Sequence, residues 1–279
     1  SGDSLWPLSR KNYPKQFMNI KEGRSLLQET VVRNMPFCDE FIIVTKESYR
    51  NIVNGQMKAF QSLKYRVVLE GSPKGTAAAI MLGSQFCNQS ELVFVVTADN
   101  LIEGQEYKDA IIRAKELAKQ GSIVALGVKP AKKNSNFGYL LRDEENVLKF
   151  IEKIRLDDDE SFGYDDGFLW NSGMFLYRAG DLINAARAIC PELYDTCRMA
   201  KRKVAAIRRT VRFSQKVMKD IPQGSIERLI FEKLKDMKVV ETAFRWKDVG
   251  NVCDLDENSS VSHSENVLKN HCEDVMVIN

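Results

Sequence analysis

Short, continuous runs of apolar residues alternate with amphipathic stretches through the first half of the chain. Four runs predict buried strands, and they lie at residues 41–45, 66–70, 91–97 and 122–128. Three stretches predict helices, and they lie at residues 25–33, 76–86 and 105–119. The first of them starts with a capping residue, Ser25. Unbroken β-branched runs are typical of parallel strands covered on both faces. The alternation therefore indicates an α/β fold with a mostly parallel central sheet.

The pattern changes after Pro130. Residues 138–141 and 147–151 flank a polar turn and predict a hairpin. The later elements are predicted as strands at residues 173–177 and 239–246 and as helices at residues 181–189, 192–209 and 225–234. No linker rich in Pro, Gly or Ser divides the sequence. We therefore expect one mixed α/β domain whose second half forms the acceptor side of a cleft.

Composition and charge narrow the class of protein. The chain has 279 residues, of which 44% are hydrophobic and 28% charged, and these values exclude a largely disordered chain. Its 41 Lys and Arg against 38 Asp and Glu give a net charge of +3, which argues against a nucleic-acid-binding domain. No apolar run approaches the roughly 18 residues of a membrane span, and residues 1–4 do not resemble a signal peptide. The expectation is a soluble, cytoplasmic protein that binds neither nucleic acid nor membrane.

Two scarce residue types exclude several kinds of catalysis. The only histidines are His263 and His271, so the body of the chain cannot hold a His-based triad or a multi-histidine metal site. The six cysteines form no Cys-x-x-Cys pair, which argues against a zinc or redox motif. Catalysis would therefore depend on carboxylates, Lys, Arg, backbone amides and a metal ion bound by oxygen.

Three short segments carry candidate chemistry. Arg10, Lys11 and Lys15 lie in a segment with two prolines, and such a cluster suits a polyphosphate, although a basic surface turn is the ordinary interpretation. Glu70 ends a predicted strand just before a helix, and the ordinary interpretation is a strand–loop–helix connection with Thr76 as the N-cap. Asp99 follows the strongest predicted strand, where an Asp is more often a cap or turn residue than a ligand.

The sequence resembles the mannose-1-phosphate guanylyltransferases, also called GDP-mannose pyrophosphorylases. The resemblance begins with Leu-Trp-Pro-Leu-Ser-Arg at residues 5–10 and continues in order along residues 5–278. Further matching segments are Tyr-Pro-Lys-Gln-Phe at 13–17, Thr-Ala-x-Ala-Ile at 76–80, Trp-Asn-Ser-Gly-Met-Phe at 170–175, Ser-Ile-Glu at 225–227 and Trp-Lys-Asp-Val-Gly at 246–250. The resemblance implies a GT-A-like, Rossmann-like nucleotidyltransferase domain over residues 1–257 and the start of a C-terminal β segment over 258–279.

The same resemblance implies the residues of the site. The implied catalytic residues are Arg10, Lys15, Asp99 and Lys153. The implied substrate-binding residues are Gly2, Glu70, Lys74, Thr76, Gly138, Tyr139, Glu152 and Asn171. By the same resemblance, Glu70 and Thr76 would help to read the base, since a carboxylate can accept the N–H groups of guanine, and Gly138, Glu152 and Asn171 would contact the sugar. Asp99 and Asp248 are the implied ligands of Mg²⁺, because this ion prefers carboxylate and phosphate oxygens.

Several positions depart from the family pattern. Ser4 stands where the family has a loop arginine that stabilises the transferring phosphate, and Asn100 replaces a histidine. Lys74 and Gly75 stand where Arg-Asn is common, and Glu227 replaces an Asp. The family's first strand and leading glycines would precede this sequence, so we expect that it begins inside the protein. The resemblance covers no isomerase domain, so no isomerase activity is expected.

The implied reaction joins GTP and mannose 1-phosphate to give GDP-mannose and pyrophosphate, with Mg²⁺ as cofactor. One alternative is a relative that uses another pair, such as UTP or dTTP with glucose 1-phosphate. Another is a non-catalytic paralogue that binds a nucleotide sugar and regulates an active partner, which Ser4 and Asn100 favour. A homodimer is compatible with the resemblance.

Overall fold

A computed structural model describes residues 12–21, 23–131, 137–151, 167–204 and 206–248. Its helices are α1 Leu26–Asn34, α2 Arg50–Met57, α3 Thr76–Ser84, α4 Glu106–Lys119, α5 Ala179–Ile189, α6 Pro191–Arg202, α7 Gln215–Met218 and α8 Ile226–Leu229. Its strands are β1 Asn19–Lys21, β2 Arg24–Ser25, β3 Phe41–Lys46, β4 Tyr65–Glu70, β5 Leu92–Val95, β6 Asn100–Glu103, β7 Ile123–Val128, β8 Tyr139–Asp143, β9 Asn146–Ile151, β10 Phe168–Arg178, β11 Ala206–Ile207, β12 Thr210–Phe213, β13 Met237–Thr242 and β14 Arg245–Asp248. Short 3₁₀ helices occur at Lys15–Phe17, Glu47–Tyr49, Lys58–Phe60 and Phe231–Lys233.

The chain divides into two compact units. The first unit contains residues 1–36, 98–101 and 247–279, and the second contains residues 37–97 and 102–246. Within the first unit, β1 pairs antiparallel with β2, and α1 contacts both strands and the 3₁₀ helix at Lys15–Phe17. Ser25 caps α1 through a reciprocal pair with Gln28, in which each side chain accepts a hydrogen bond from the other's backbone N–H. The predicted cap at Ser25 is confirmed.

The second unit is built on two sheets. A four-stranded sheet has the order β11-β12-β4-β3, and both β12 and β3 run parallel to β4. A six-stranded sheet has the order β5-β10-β7-β13-β9-β8, in which β13 runs parallel to β7. The long strand β10 pairs antiparallel with β5, β7 and β8. The α/β class predicted from the sequence is confirmed, with parallel pairs at the centre of both sheets.

The strand β7 shows why an unbroken apolar run predicts a central strand. All six of its residues are buried. Ile123 and Ala125 pack into a core with α3, α5 and α6, whereas Val124 and Leu126 pack into a second core with α4. Successive side chains point to opposite faces of a strand, so both faces must be apolar when both are covered. Each large side chain fully buried in this way contributes about 1.5–3 kcal/mol.

Three later elements differ from the sequence predictions. The helix predicted over residues 192–209 ends at Arg202, and the chain then forms the β11–β12 hairpin. The helix predicted over 225–234 is interrupted at Ile230, which has φ −129° and ψ −59° and separates α8 from a 3₁₀ turn. The strand predicted over 239–246 is two strands, and Phe244 lies between them and packs on Tyr107, with ring centroids 5.2 Å apart.

The helices of the described residues are too short or too polar to cross a membrane.

Candidate functional site

Lys15 and Asp99 form an ion pair in the first unit. The Lys15 Nζ atom lies 3.1 Å from Oδ2 of Asp99. Lys15 belongs to a 3₁₀ helix that starts after Pro14, and only 9% of the residue is exposed. The Asp99 side chain is 35% exposed, so one of its faces remains open to solvent. The structure thus joins the cation predicted for the triphosphate to the carboxylate predicted for the metal ion.

The strand pairing bears on the second predicted metal ligand. Asn100 begins β6 directly after Asp99, and Asp248 ends β14. These two strands pair as a two-stranded sheet. The side chain of Asp248 lies outside the described part of the chain, so its distance from Asp99 stays a prediction. Within the described residues, no three His, Cys, Asp or Glu side chains come together as a ready metal site.

Glu70 is a buried carboxyl at the end of β4. Only 6% of the residue is exposed, and its Oε1 atom has no hydrogen-bond partner among the described residues. Burial raises the pKa of Glu70 to about 7, although Lys46, its register partner in β3, acts in the opposite direction. Near neutral pH this carboxyl is therefore divided between its neutral and ionised forms. An acceptor left without a partner is suited to a donor on a ligand.

Lys74 and Thr76 lie in the loop between β4 and α3, and both contact a later segment of the chain. Lys74 donates from Nζ to the carbonyl oxygen of Lys219 at 3.1 Å. Gly75 caps α3 with φ +95°, so Thr76 is the first helical residue and does not act as the N-cap considered from the sequence. The Thr76 hydroxyl instead accepts from the backbone N–H of Ile226 at 3.0 Å.

Asn171 sits at an irregularity in β10. The register between β10 and β7 shifts between Asn171 and Phe175, and Gly173 has φ +73° inside this stretch. A β-bulge of this kind re-aims the side chain next to it. The Asn171 backbone N–H donates to the carbonyl of Gly138 at 2.8 Å, and Asn171 Oδ1 accepts from Gly173 N–H at 3.1 Å. Two residues predicted to contact the sugar, Gly138 and Asn171, are therefore adjacent.

Tyr139 lies beside them but points into an apolar cluster. Only 4% of it is exposed, and it packs with Val128 and Trp170. Phe137 bridges this cluster, with ring centroids 5.1 Å from Trp170 and 4.9 Å from Trp246. This placement gives Tyr139 a packing role, and a direct contact with substrate stays a prediction.

Four predicted site residues lie outside the described part of the chain. They are Gly2, Arg10, Glu152 and Lys153. Their predicted contacts with nucleotide and sugar phosphate stay predictions.

Glu227 is a site residue to which the sequence argument assigned no role. Its Oε1 atom accepts from Asn171 Nδ2 at 3.2 Å, and its Oε2 atom accepts from the Thr76 hydroxyl at 3.5 Å. It lies in the first turn of α8, which Ser225 caps. The signal available in the sequence was the match of Ser-Ile-Glu to a family segment, but that match does not name the partners of the carboxylate.

A family model described as nucleotidyl transferase matches residues 1–265. The chain belongs to the nucleotidyl transferase family. The GT-A-like, Rossmann-like fold expected from the resemblance is accordingly confirmed.

Individual relatives and solved structures are similar to this nucleotidyl transferase over most of its length. The mannose-1-phosphate guanylyltransferase RfbM of Salmonella typhimurium strain LT2 is 30% identical over 96% of the chain and 59% of its own length. A crystal structure described as mannose-6-phosphate isomerase from Helicobacter pylori is 32% identical, with a TM-score of 0.81 over 86% of this chain and 96% of that one. A structure described as mannose-1-phosphate geranyltransferase from Thermus thermophilus is 25% identical, with a TM-score of 0.76 over 90% of this chain and 73% of that one.

The chain spans about three fifths of the length of the curated relatives that it matches, 59% in the case of RfbM. The names of these relatives also differ, since one structure is described as an isomerase. The reaction and substrates of this nucleotidyl transferase are therefore proposed below.

Proposed function

We propose that this nucleotidyl transferase converts GTP and mannose 1-phosphate into GDP-mannose and pyrophosphate. A phosphate oxygen of the sugar phosphate would attack the α-phosphorus of GTP, and the bond between that phosphorus and the bridging oxygen to the β-phosphate would break. Pyrophosphate leaves with the bonding electrons. This step needs no covalent enzyme intermediate, so it agrees with a body of the chain that contains no histidine.

The observation that carries the proposal is the ion pair between Lys15 and Asp99. A buried cation and a half-open carboxylate 3.1 Å apart are the charge types that a metal–triphosphate complex requires. Lys15 would hold a phosphate oxygen of GTP, and Arg10 would add a second cation. Fixed cations in a partly buried site stabilise the charge that develops on the transferred phosphoryl group.

The donor chemistry of the chain fits Mg²⁺. Asp99 has an open face beside its contact with Lys15, and Asp248 ends the strand that pairs with β6. These two carboxylates would hold the ion, since hard oxygen donors are what Mg²⁺ prefers. Bound there, Mg²⁺ would offset negative charge on the triphosphate. In the free protein, Lys15 lies 3.1 Å from Asp99 and offsets the charge of this carboxylate.

The second unit offers groups for the base and the sugar. Glu70 has an acceptor without a partner, which suits the N–H donors of guanine, and Lys74 and Thr76 belong to the loop that follows it. Asn171 presents a carboxamide for a sugar hydroxyl, and Gly138 allows a close backbone approach. Glu152 would accept from another hydroxyl, and Lys153 would bind the sugar phosphate.

A substrate panel on the complete protein tests the proposal. Pyrophosphate release is measured with GTP, UTP or dTTP, each combined with mannose 1-phosphate or glucose 1-phosphate, with Mg²⁺ and with EDTA. The expected result is release with GTP and mannose 1-phosphate that EDTA abolishes. Release with UTP but not with GTP would overturn the nucleotide assignment.

A regulatory role is the second candidate function. Ser4 stands where the family has a phosphate-stabilising arginine, and loss of such a cation typically costs orders of magnitude in rate. A non-catalytic paralogue would bind GDP-mannose but release no pyrophosphate with any substrate pair. Calorimetry with GDP-mannose alongside the panel separates the two functions, and Ser4→Arg would raise the rate only if the rest of the machinery is intact.

A further inference from the structure

Glu227 joins two elements that carry predicted substrate contacts. Its carboxylate, in α8, accepts from Asn171 in β10 at 3.2 Å and from Thr76 in α3 at 3.5 Å. These three residues are far apart in sequence, so only the tertiary structure brings them together. One carboxylate therefore contacts both the sugar-side and the base-side residue of the second unit.

Backbone contacts hold the segment that precedes this carboxylate. The Gly224 N–H donates to the carbonyl of Lys74 at 2.9 Å, and the carbonyl of Gly224 accepts from Ala77 N–H at 3.2 Å. A Cβ on Gly75 would lie only 2.3 Å from the carbonyl oxygen of Gly224, so the two segments meet without room for a side chain. The segment that leads into α8, and with it the backbone before Glu227, is thus held against the loop before α3.

The contact with Glu227 determines the orientation of the Asn171 carboxamide. Its Oδ1 atom accepts from Gly173 N–H at 3.1 Å, and its Nδ2 atom donates to Glu227. An amide has one acceptor oxygen and one nitrogen with two hydrogens. A carboxylate can only accept, so Glu227 selects the orientation that points the nitrogen towards it. The second Nδ2 hydrogen is then held in one direction, where a substrate hydroxyl can accept it.

We propose that Glu227 is a positioning residue that acts through Asn171, fixing its carboxamide as a hydrogen-bond donor to the hexose of the sugar phosphate. This inference rests on the proposed function for the identity of the ligand. Preorganisation of a donor in this way favours binding because the cost of ordering the side chain is met in the free protein.

A double-mutant cycle tests the proposal in the complete protein. The variants are Glu227→Ala, Asn171→Ala and the double variant, with Glu192→Gln as a control for loss of an exposed carboxylate on α6. Glu227→Ala should raise KM for mannose 1-phosphate about tenfold, the size of one lost hydrogen bond, and change kcat much less. Glu227→Gln, which keeps an acceptor at the same reach, should recover most of this loss. Glu192→Gln should match the unmodified protein.

The decisive comparison is the double variant. If Glu227 acts through Asn171, Glu227→Ala should cause no further rise in KM once Asn171 is alanine. A further tenfold rise in the Asn171→Ala background would show that Glu227 contacts the substrate by itself, and would overturn the proposal. Similar KM values for Glu227→Ala and the unmodified protein would also overturn it.

Thermal unfolding separates failure of this inference from failure of the proposed function. If the complete protein releases no pyrophosphate with any substrate pair, the proposed reaction is wrong. Tm can still be measured for the unmodified protein, Glu227→Ala, Asn171→Ala and the double variant. A Tm loss in the double variant that is smaller than the sum of the two single losses supports the contact between Glu227 and Asn171. Additive Tm losses would contradict the proposal that the Glu227 carboxylate fixes the orientation of the Asn171 carboxamide.

Discussion

The Lys15–Asp99 pair and the network of Thr76, Asn171 and Glu227 organise polar groups by different means. The first is an ion pair between a buried ammonium and a half-open carboxylate. The second joins one carboxylate to two uncharged donors, and backbone contacts around Gly75 and Gly224 hold it in place. Coulomb attraction falls slowly with distance and tolerates changes in angle, whereas a hydrogen bond does not.

This difference predicts which kind of substitution would disable each region. The ion-pair region depends on which charges are present, so neutral substitutions of the same shape should disable it. The network depends on where its atoms lie, so a substitution that shifts its backbone should disable it while every charge remains. The predictions below separate charge from geometry, beginning with the largest expected effect.

Removal of the Asp99 charge should have the largest effect. Asp99→Asn keeps the shape of the side chain but removes the negative charge that faces Lys15 and removes a proposed metal ligand. We expect the rate of Mg²⁺-dependent pyrophosphate release to fall about 10³-fold, with a far-UV circular dichroism spectrum that is unchanged. Asp236→Asn, which neutralises an exposed Asp, is the matched control. An undiminished rate in Asp99→Asn would remove Asp99 from the metal site.

Neutralisation of Glu70 should change stability with a defined pH dependence. Its pKa is raised by burial to about 7 in the folded protein, above its ordinary value of 4.5. The stabilisation linked to the protonated form is therefore complete below pH 4.5 and is lost as pH rises through 7. The unmodified protein should therefore lose about 3 kcal/mol of unfolding free energy as the pH rises from acidic values to 8, and Glu70→Gln should not show this loss.

Urea unfolding at pH 5, 6, 7 and 8 measures this loss. Glu144→Gln, which removes an exposed carboxylate from the β8–β9 turn, should show the same loss as the unmodified protein. A constant difference in unfolding free energy between Glu70→Gln and the unmodified protein across this range would contradict the raised pKa.

A comparison of two glycines tests the geometry of the network. Gly23 and Gly75 both have positive φ, +75° and +95°, but only Gly75 lacks room for a Cβ. Gly23→Ala should cost about 1 kcal/mol from backbone strain alone. Gly75→Ala should cost about 2 kcal/mol more, because the segment at Gly224 must move.

Urea unfolding of both glycine variants gives the two free energies. Gly75→Ala should in addition raise KM for mannose 1-phosphate, since the displaced segment carries Glu227. Equal costs in the two variants would show that the close approach of Gly75 to Gly224 adds no constraint.

The local sequence pattern was sufficient to predict an element when the residues of that element alone determine its structure. The apolar run at residues 122–128 predicted β7, and Ser25 predicted the start of α1. The local pattern was insufficient where contacts with distant segments decide whether a stretch forms a helix or a strand. The stretch at 203–209 was predicted as helix, but the chain there leads into β12, whose Val211 becomes buried when β12 pairs parallel with β4, a partner distant in sequence.

The sequence by itself determined the fold class, the family and the chemical types available to the site, because these depend on periodicity and on the order of short motifs. Only the tertiary structure decided that Lys15 pairs with Asp99 and that Glu227 binds both Thr76 and Asn171. Hydrogen bonds and ion pairs act over a few ångströms, and residues separated by a long stretch of chain reach that range only when packing of the whole unit fixes their positions.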